Sequence, residues 1–200
     1  LFLGERAAGK STLCNSIFGK VVFESGLTLS TSMTAARQEH IHEGKLYIDT
    51  PGFGEISISD QVAKEIEEAL KYNTNYKIVF VFKLDPGLSK DQTNMINKIC
   101  NAIKTDFEYG IVFNQVSRKR IQKMDQQGVD QEKLHESVYV PIKPMKSPSL
   151  TVVLERDNEL YDEDNKHFQA NDENRKKLVN FLNKLNAHKI APNEVSRIAI

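Results

Sequence analysis

The sequence predicts a three-layer α/β sandwich, a mostly parallel sheet with one antiparallel strand and helices on both faces. Three observations predict it. Short apolar runs alternate with segments of helical period along the chain. The runs are continuous in character, as in Ile78-Val79-Phe80-Val81-Phe82, which suits strands covered on both sides. Two further runs are separated only by Glu43-Gly44, a hairpin turn that makes one strand antiparallel.

Leu1-Phe2-Leu3 opens the sheet, and a glycine-rich turn follows. Leu13, Cys14, Ile17 and Phe18 then recur at helical spacing, and Gly19 offers the stop. Residues 20–36 are rich in serine and threonine without a period. Residues 37–42 and Lys45-Leu46-Tyr47-Ile48-Asp49 are the arms of the hairpin. Val62, Ile66, Ala69 and Leu70 mark a helix that starts near Asp60, and Lys77 to Leu84 supplies the next strand. Ser89 caps a helix with Met95, Ile96, Ile99 and Ile103 on one face, and Gly110-Ile111-Val112-Phe113-Asn114 follows as a strand. Beyond it the pattern weakens. Residues 117–136 are polar and at first basic, and Pro141, Pro144 and Pro148 break any helix. Leu150 to Leu154 form a last strand, an acidic loop follows, and Leu178, Leu182 and Leu185 define a closing helix.

Two hundred residues, 40% hydrophobic and 27% charged, suit one domain, expected over residues 1–188 with a tail at 189–200. The three-residue first strand and the missing initiator Met place the expected start of the protein upstream of Leu1. Lys plus Arg and Asp plus Glu both total 27, so no net field draws the chain toward nucleic acid or an acidic membrane. Cys14 and Cys100 lie among apolar residues on expected helices, which suits reduced, buried thiols and a cytoplasmic setting. No apolar run approaches the ~20 residues of a membrane span. Membrane contact is expected only through segments beyond the chain ends.

The turn after the first strand reads GERAAGKST, from Gly4 through Glu5, Arg6, Ala7, Ala8, Gly9, Lys10 and Ser11 to Thr12. It satisfies G-x-x-x-x-G-K-[ST] in the strand, loop and helix context that the motif requires. Glycines let a loop wrap an anion at backbone angles that a Cβ penalises, with amides pointing inward. The helix start adds its positive dipole end. Lys10 is expected on the β- and γ-phosphates and the Ser11 hydroxyl on Mg²⁺. Asp49, at the end of a strand in LYIDTPGFG, is placed to hold Mg²⁺ through water, and Gly52 to offer its amide to a γ-phosphate. Taken alone, an Asp at a strand end is more readily a helix or turn cap, and the glycine-rich turn beside it is what favours the functional reading.

DTPGFG at 49–54, SMT at 32–34 and IVFVFKLDPGLSKDQTNMINKI at 78–99 resemble the immune-associated nucleotide-binding GTPases, the GIMAP or avirulence-induced-gene family. Leu84, Leu88, Ser89 and Asp91 fit that family's box after the fourth strand. The resemblance covers about residues 1–116. It implies a P-loop GTPase-like sandwich that binds GTP or GDP with Mg²⁺, and a homodimer through the nucleotide face. It also implies that Thr34 is the switch threonine that closes onto Mg²⁺. The residues alone do not single Thr34 out from Thr28, Ser30, Thr31 and Ser32, which equally make a polar loop.

Three departures from that family pattern stand out. Ala7 replaces a glycine in the phosphate loop. Asn114-Gln115-Val116-Ser117 stands where guanine-specific proteins carry N/T-K-x-D, so Asn114 and Gln115 remain as base-site candidates while the base-reading aspartate is serine. The family's Phe-Asn-Asn after the last strand is missing beside Val153-Leu154-Glu155, where Glu155 reads as an exposed loop acid or as a substitute carboxylate.

Phe53 follows Gly52 where many small GTPases place a water-orienting glutamine, so slow hydrolysis is expected, with Lys10, Thr34 and Gly52 as the catalytic candidates. Arg6 at the loop tip is either solvated or a neutralising side chain. His40 and His42 share one face of a strand and are expected to point to solvent, a third metal ligand being missing nearby. Arg118, Lys119, Arg120 and Lys123 read as a solvated helix face. The expected activity is a GTP-binding switch. The alternatives are a nucleotide-binding scaffold without turnover and a P-loop protein of relaxed or adenine specificity.

Overall fold

The computed structural model describes residues 1–24, 36–54, 59–84, 89–129, 133–134, 147–156 and 172–199. Six strands form one sheet: β1 (Phe2–Gly4), β2 (Gln38–His42), β3 (Lys45–Asp49), β5 (Ile78–Lys83), β6 (Tyr109–Val116) and β7 (Leu150–Glu155), in the order β2-β3-β1-β5-β6-β7. All neighbours are parallel except β2 and β3, whose antiparallel register runs from Gln38↔Asp49 to His42↔Lys45. The turn between them holds Glu43 at φ 48° and Gly44 at φ 72°, the paired positive angles of a tight hairpin.

Helices α1 (Lys10–Phe18) and α5 (Asp172–Lys184) pack on one face, where Leu13, Cys14, Ile17, Phe18, Leu178 and Phe181 meet Val79, Val81 and Val112. Helices α2 (Asp60–Ala69) and α3 (Lys90–Ala102) bury Val62, Ile66, Met95, Ile96 and Ile99 against Phe80, Phe82, Ile111 and Phe113 on the other. Ser59 caps the first of these helices and Ser89, as the sequence suggests, the second, where with Gln92 it forms a full capping box. Helix α4 (Arg118–Gln126) buries no residue, in keeping with a solvated basic face. Cys14 is buried, Cys100 half-buried, and neither is in a disulfide among the described residues.

Two features differ from expectation. The stretch 189–200 is expected as a tail, but its described residues, 189–199, lie against the domain. Strand β8 (His188–Ile190) pairs antiparallel with β4 (Thr74–Tyr76), Val195 bridges Ile103, and Ile190 and Ile198 are buried. His40 and His42 are half-buried instead of solvent-facing: both rings pack on Phe18, 4.8 and 5.2 Å away between centroids, and Ile41 between them is 69% exposed. Alternation assigned the faces correctly, but the aromatic end of α1 covers the histidine side.

Candidate functional site

The carboxyl ends of β1, β3, β5 and β6 converge on the turn from Gly4 to Thr12. Gly4 has φ 148°, and a Cβ there would lie 2.1 Å from the Val81 carbonyl oxygen, so only glycine lets the chain leave β1 so close to β5. Lys10, 6% exposed, folds back and donates to the carbonyls of Gly4 at 3.2 Å and Glu5 at 3.1 Å. The first helical bond of α1 runs from Leu13 N–H to Gly9. The amides of Ala7, Gly9, Lys10, Ser11 and Thr12 have no acceptor among the described residues. Ala7 holds φ 56°, a left-handed angle that its Cβ disfavours and a glycine would not.

At the end of β3, Ser11 Oγ donates to Asp49 Oδ2 at 2.5 Å, while Asp49 Oδ1 is buried without a partner. Burial raises the Asp49 carboxyl above its ordinary range, against the pull of Lys10 and Ser11. Burial likewise lowers the Lys10 ammonium, against the pull of Asp49 and Glu5. Both groups are thus pressed toward neutrality for want of compensating charge. A hard divalent cation with oxygen ligands would take Oδ1 and the Ser11 hydroxyl, and an anion would take the unpaired amides. The donor set therefore fits a nucleotide phosphate chain with Mg²⁺.

The DTPGF segment lies along the phosphate loop. Thr50 donates to the Phe2 carbonyl from both N–H, at 3.3 Å, and Oγ1, at 2.8 Å. Phe53 N–H donates to Gly4 at 3.0 Å and Arg6 N–H to Phe53 at 3.1 Å, which carries the parallel pairing of β1 and β3 past Asp49. Phe53 is fully buried and anchors the segment in the core, a role its sequence position did not signal. A Cβ on Gly52 would lie 2.6 Å from Arg6 Cα. Its amide also lacks an acceptor among the described residues. Arg6 itself is exposed.

At the end of β6, Asn114 Nδ2 donates to the Ala8 carbonyl at 2.8 Å and Gln115 Nε2 to the Ala7 carbonyl at 3.0 Å. Both base-site candidates thus reach the phosphate loop. Gln115 has φ 59°, and the β6–β7 register shifts between Phe113 and Val116. Glu155 is not a loop acid: it ends β7 opposite Val116, half-buried, with its backbone bonded in both directions by the Asn174 side chain at 3.2 and 2.9 Å. Its carboxylate is 4.0 Å from Arg118 Nε. Sequence reasoning also missed the use made of Glu5, whose carboxylate accepts from Lys83 N–H at 3.1 Å and Gln92 Nε2 at 3.0 Å, bracing the loop on α3. Thr34 and Leu88 lie outside the described residues. Among those described, no group of three or more metal-ligating side chains occurs.

Comparison with known proteins agrees with this fold. Toc33 from Arabidopsis thaliana, solved in complex with GDP and Mg²⁺, shares the fold with a TM-score of 0.53 at 16% identity, over 94% of this chain and 86% of that one. A structure reporting that dimerization is important for the GTPase activity of the chloroplast translocon components atToc33 and psToc159 matches with a TM-score of 0.53 at 16% identity, over 98% of this chain and 76% of that one. NFeoB from S. thermophilus bound to GMPPNP matches with a TM-score of 0.52 at 15% identity, over 100% of this chain and 64% of that one. No curated protein matches the sequence significantly. The architecture is that of P-loop GTPases. The family model AIG1 matches residues 1–131, from the first strand through the phosphate loop, the DTPGF segment and the end of β6, and the chain belongs to the AIG1 family.

Proposed function

We propose that the chain is a Mg²⁺-dependent, GTP-binding switch protein with slow hydrolysis. The observation that carries this reading is the convergence of unpaired amides at Ala7, Gly9, Lys10, Ser11 and Thr12 on the same strand end as the Lys10 ammonium and the orphaned Asp49 Oδ1. In this reading the amides and Lys10 hold the phosphate chain, and Ser11 and Asp49 hold Mg²⁺, joined by Thr34. Mg²⁺ would neutralise charge on the phosphate oxygens. Gly52 offers its N–H on the γ-phosphate side. The guanine assignment draws on the family and on the GDP and GMPPNP complexes of its structural neighbours.

Phe53 supports slow turnover, because a phenyl ring packed in the core orients no water. Faster hydrolysis would then require a group from a second copy meeting the nucleotide face, in line with the dimerization named for Toc33. The same residue favours a second reading, a nucleotide-binding scaffold that works by association alone. Calorimetric titration with GTP, GDP and ATP tests the assignment: micromolar or tighter guanine nucleotide affinity and much weaker ATP binding are expected, and ATP binding as tight as GTP binding would overturn it. Single-turnover hydrolysis at rising protein concentration separates the two readings. A slow rate that climbs with concentration supports the switch, and no phosphate release at any concentration leaves the scaffold.

A further inference from the structure

Glu5 is the sole acid between Gly4 and Thr12, in a loop read above as holding phosphate. A carboxylate there repels an anion, so its charge calls for a use. Both of its oxygens are taken, by donors from different elements. Oε1 accepts from the Lys83 N–H at 3.1 Å, at the end of β5, and Oε2 from Gln92 Nε2 at 3.0 Å, in the first turn of α3. Gln92 is 7% exposed, and its amide has one usable orientation. Its Oε1 accepts the Ser89 N–H at 2.8 Å within the capping box, which leaves Nε2 facing Glu5. Two donors with fixed positions thus meet one side chain. A carboxylate satisfies both, whereas a carboxamide has a single acceptor oxygen and sets its own NH₂ against the second donor.

The backbone of Glu5 is used as fully. Its carbonyl accepts from Lys10 Nζ at 3.1 Å and from Ala8 N–H at 3.4 Å, and the residue bridges Phe53 in parallel. The place of Glu5 therefore sets where the Lys10 ammonium is held, how the loop turns at Ala8 and how the DTPGF segment lies along it.

We infer that Glu5 is a positioning residue: held by Lys83 and by the Ser89–Gln92 capping box, it ties the phosphate loop to the start of α3 and keeps Lys10 in place for phosphate. The inference rests on the phosphate-site reading above and deepens it. It also fixes a sign that charge alone would reverse. Removing this negative charge from the loop weakens phosphate binding.

The test uses the whole chain, with GTP and inorganic tripolyphosphate as probes in the presence of Mg²⁺, and Tm as the check on folding. Glu5→Gln keeps size and shape but leaves one donor unmet. It should weaken both probes about three- to tenfold, the loss of one hydrogen bond. Gln92→Glu keeps the capping box, since a glutamate also accepts from Ser89, but sets a second carboxylate against Glu5 and should weaken both probes at least as much. Combining Glu5→Gln with Gln92→Glu restores every bond: the amide at position 5 accepts from Lys83 and donates to the carboxylate at position 92. Both affinities should return to within about twofold of the unaltered chain, the coupling expected of residues in contact. A role in stability alone would move Tm and leave the affinities unchanged, and a role through charge alone would make Glu5→Gln bind more tightly. Either result, or a double variant that binds no better than the weaker single one, would overturn the inference. Failure of the unaltered chain to take up either probe would overturn the phosphate-site reading itself, and this inference with it.

Discussion

The two ends of the central sheet are built on opposite terms. At the amino ends of the strands, polar groups are consumed by the fold: Tyr76 OH accepts from Tyr72 N–H and donates to the Ala69 carbonyl, each at 2.9 Å, and Ile198 N–H bonds Glu67 at 2.7 Å. Ile190 closes that end fully buried. His188 Nε2 is the exception, buried without a hydrogen bond, with Glu108 4.0 Å away. At the carboxyl ends, six loop and helix amides, Gly52 among them, and Asp49 Oδ1 are left without partners among the described residues, and Ala7 and Gln115 hold left-handed angles. One end stores stability. The other gives some up, keeping donors, an acid and a base in place for a ligand that would satisfy them together.

That contrast can be broken from either side. Ile190→Ala, at the amino end, should lower unfolding free energy by about 3 kcal/mol in denaturant titration, the range for emptying a buried aliphatic site, while nucleotide affinity stays unchanged. A fall in affinity of similar size would show the two ends to be coupled. Asp49→Asn should act in the opposite sense, raising stability without Mg²⁺ by about 1 kcal/mol because an amide is desolvated more cheaply than a carboxylate, and removing the effect of Mg²⁺ on nucleotide binding. The sign also appears in pH. Burial raises the Asp49 carboxyl, so the folded state binds its proton more tightly than the unfolded chain. This group's contribution to stability without Mg²⁺ is therefore present below the ordinary carboxylate value and is lost as pH climbs through the raised one, a slope that Asp49→Asn removes. The smallest expected effect is Ala7→Gly, which relieves φ 56° at some cost in chain entropy and should add about 0.5 kcal/mol to stability, read as a small rise in Tm.

The same contrast explains what the sequence could disclose. The turn from Gly4 to Thr12 was legible because its pattern is local: glycines at 4 and 9 and the lysine at 10 stand at fixed spacing on one turn. The hairpin and the strand end at Asp49 were legible for a similar reason, each marked by a short local pattern. The ribbon of β4 and β8 was not, since each arm is three residues long and its partner lies more than a hundred residues away. Periodicity placed His40 and His42 on one face but carried no sign of Phe18 above it. The brace from Glu5 to Gln92 and the bonds from Asn114 and Gln115 join segments far apart in sequence, and no local pattern marks them.

The central claim is that the carboxyl end of the sheet is a site prepared for a nucleotide's phosphates with Mg²⁺. Calorimetric titration of Mg·GTP into the unaltered chain and into Lys10→Ala tests it most directly. Micromolar or tighter binding to the first, and a loss of at least about a hundredfold in the second, is predicted, since a buried ammonium bonded to phosphate contributes ~1.5 to 3 kcal/mol per hydrogen bond. No binding to the unaltered chain, or equal binding to both, would contradict it.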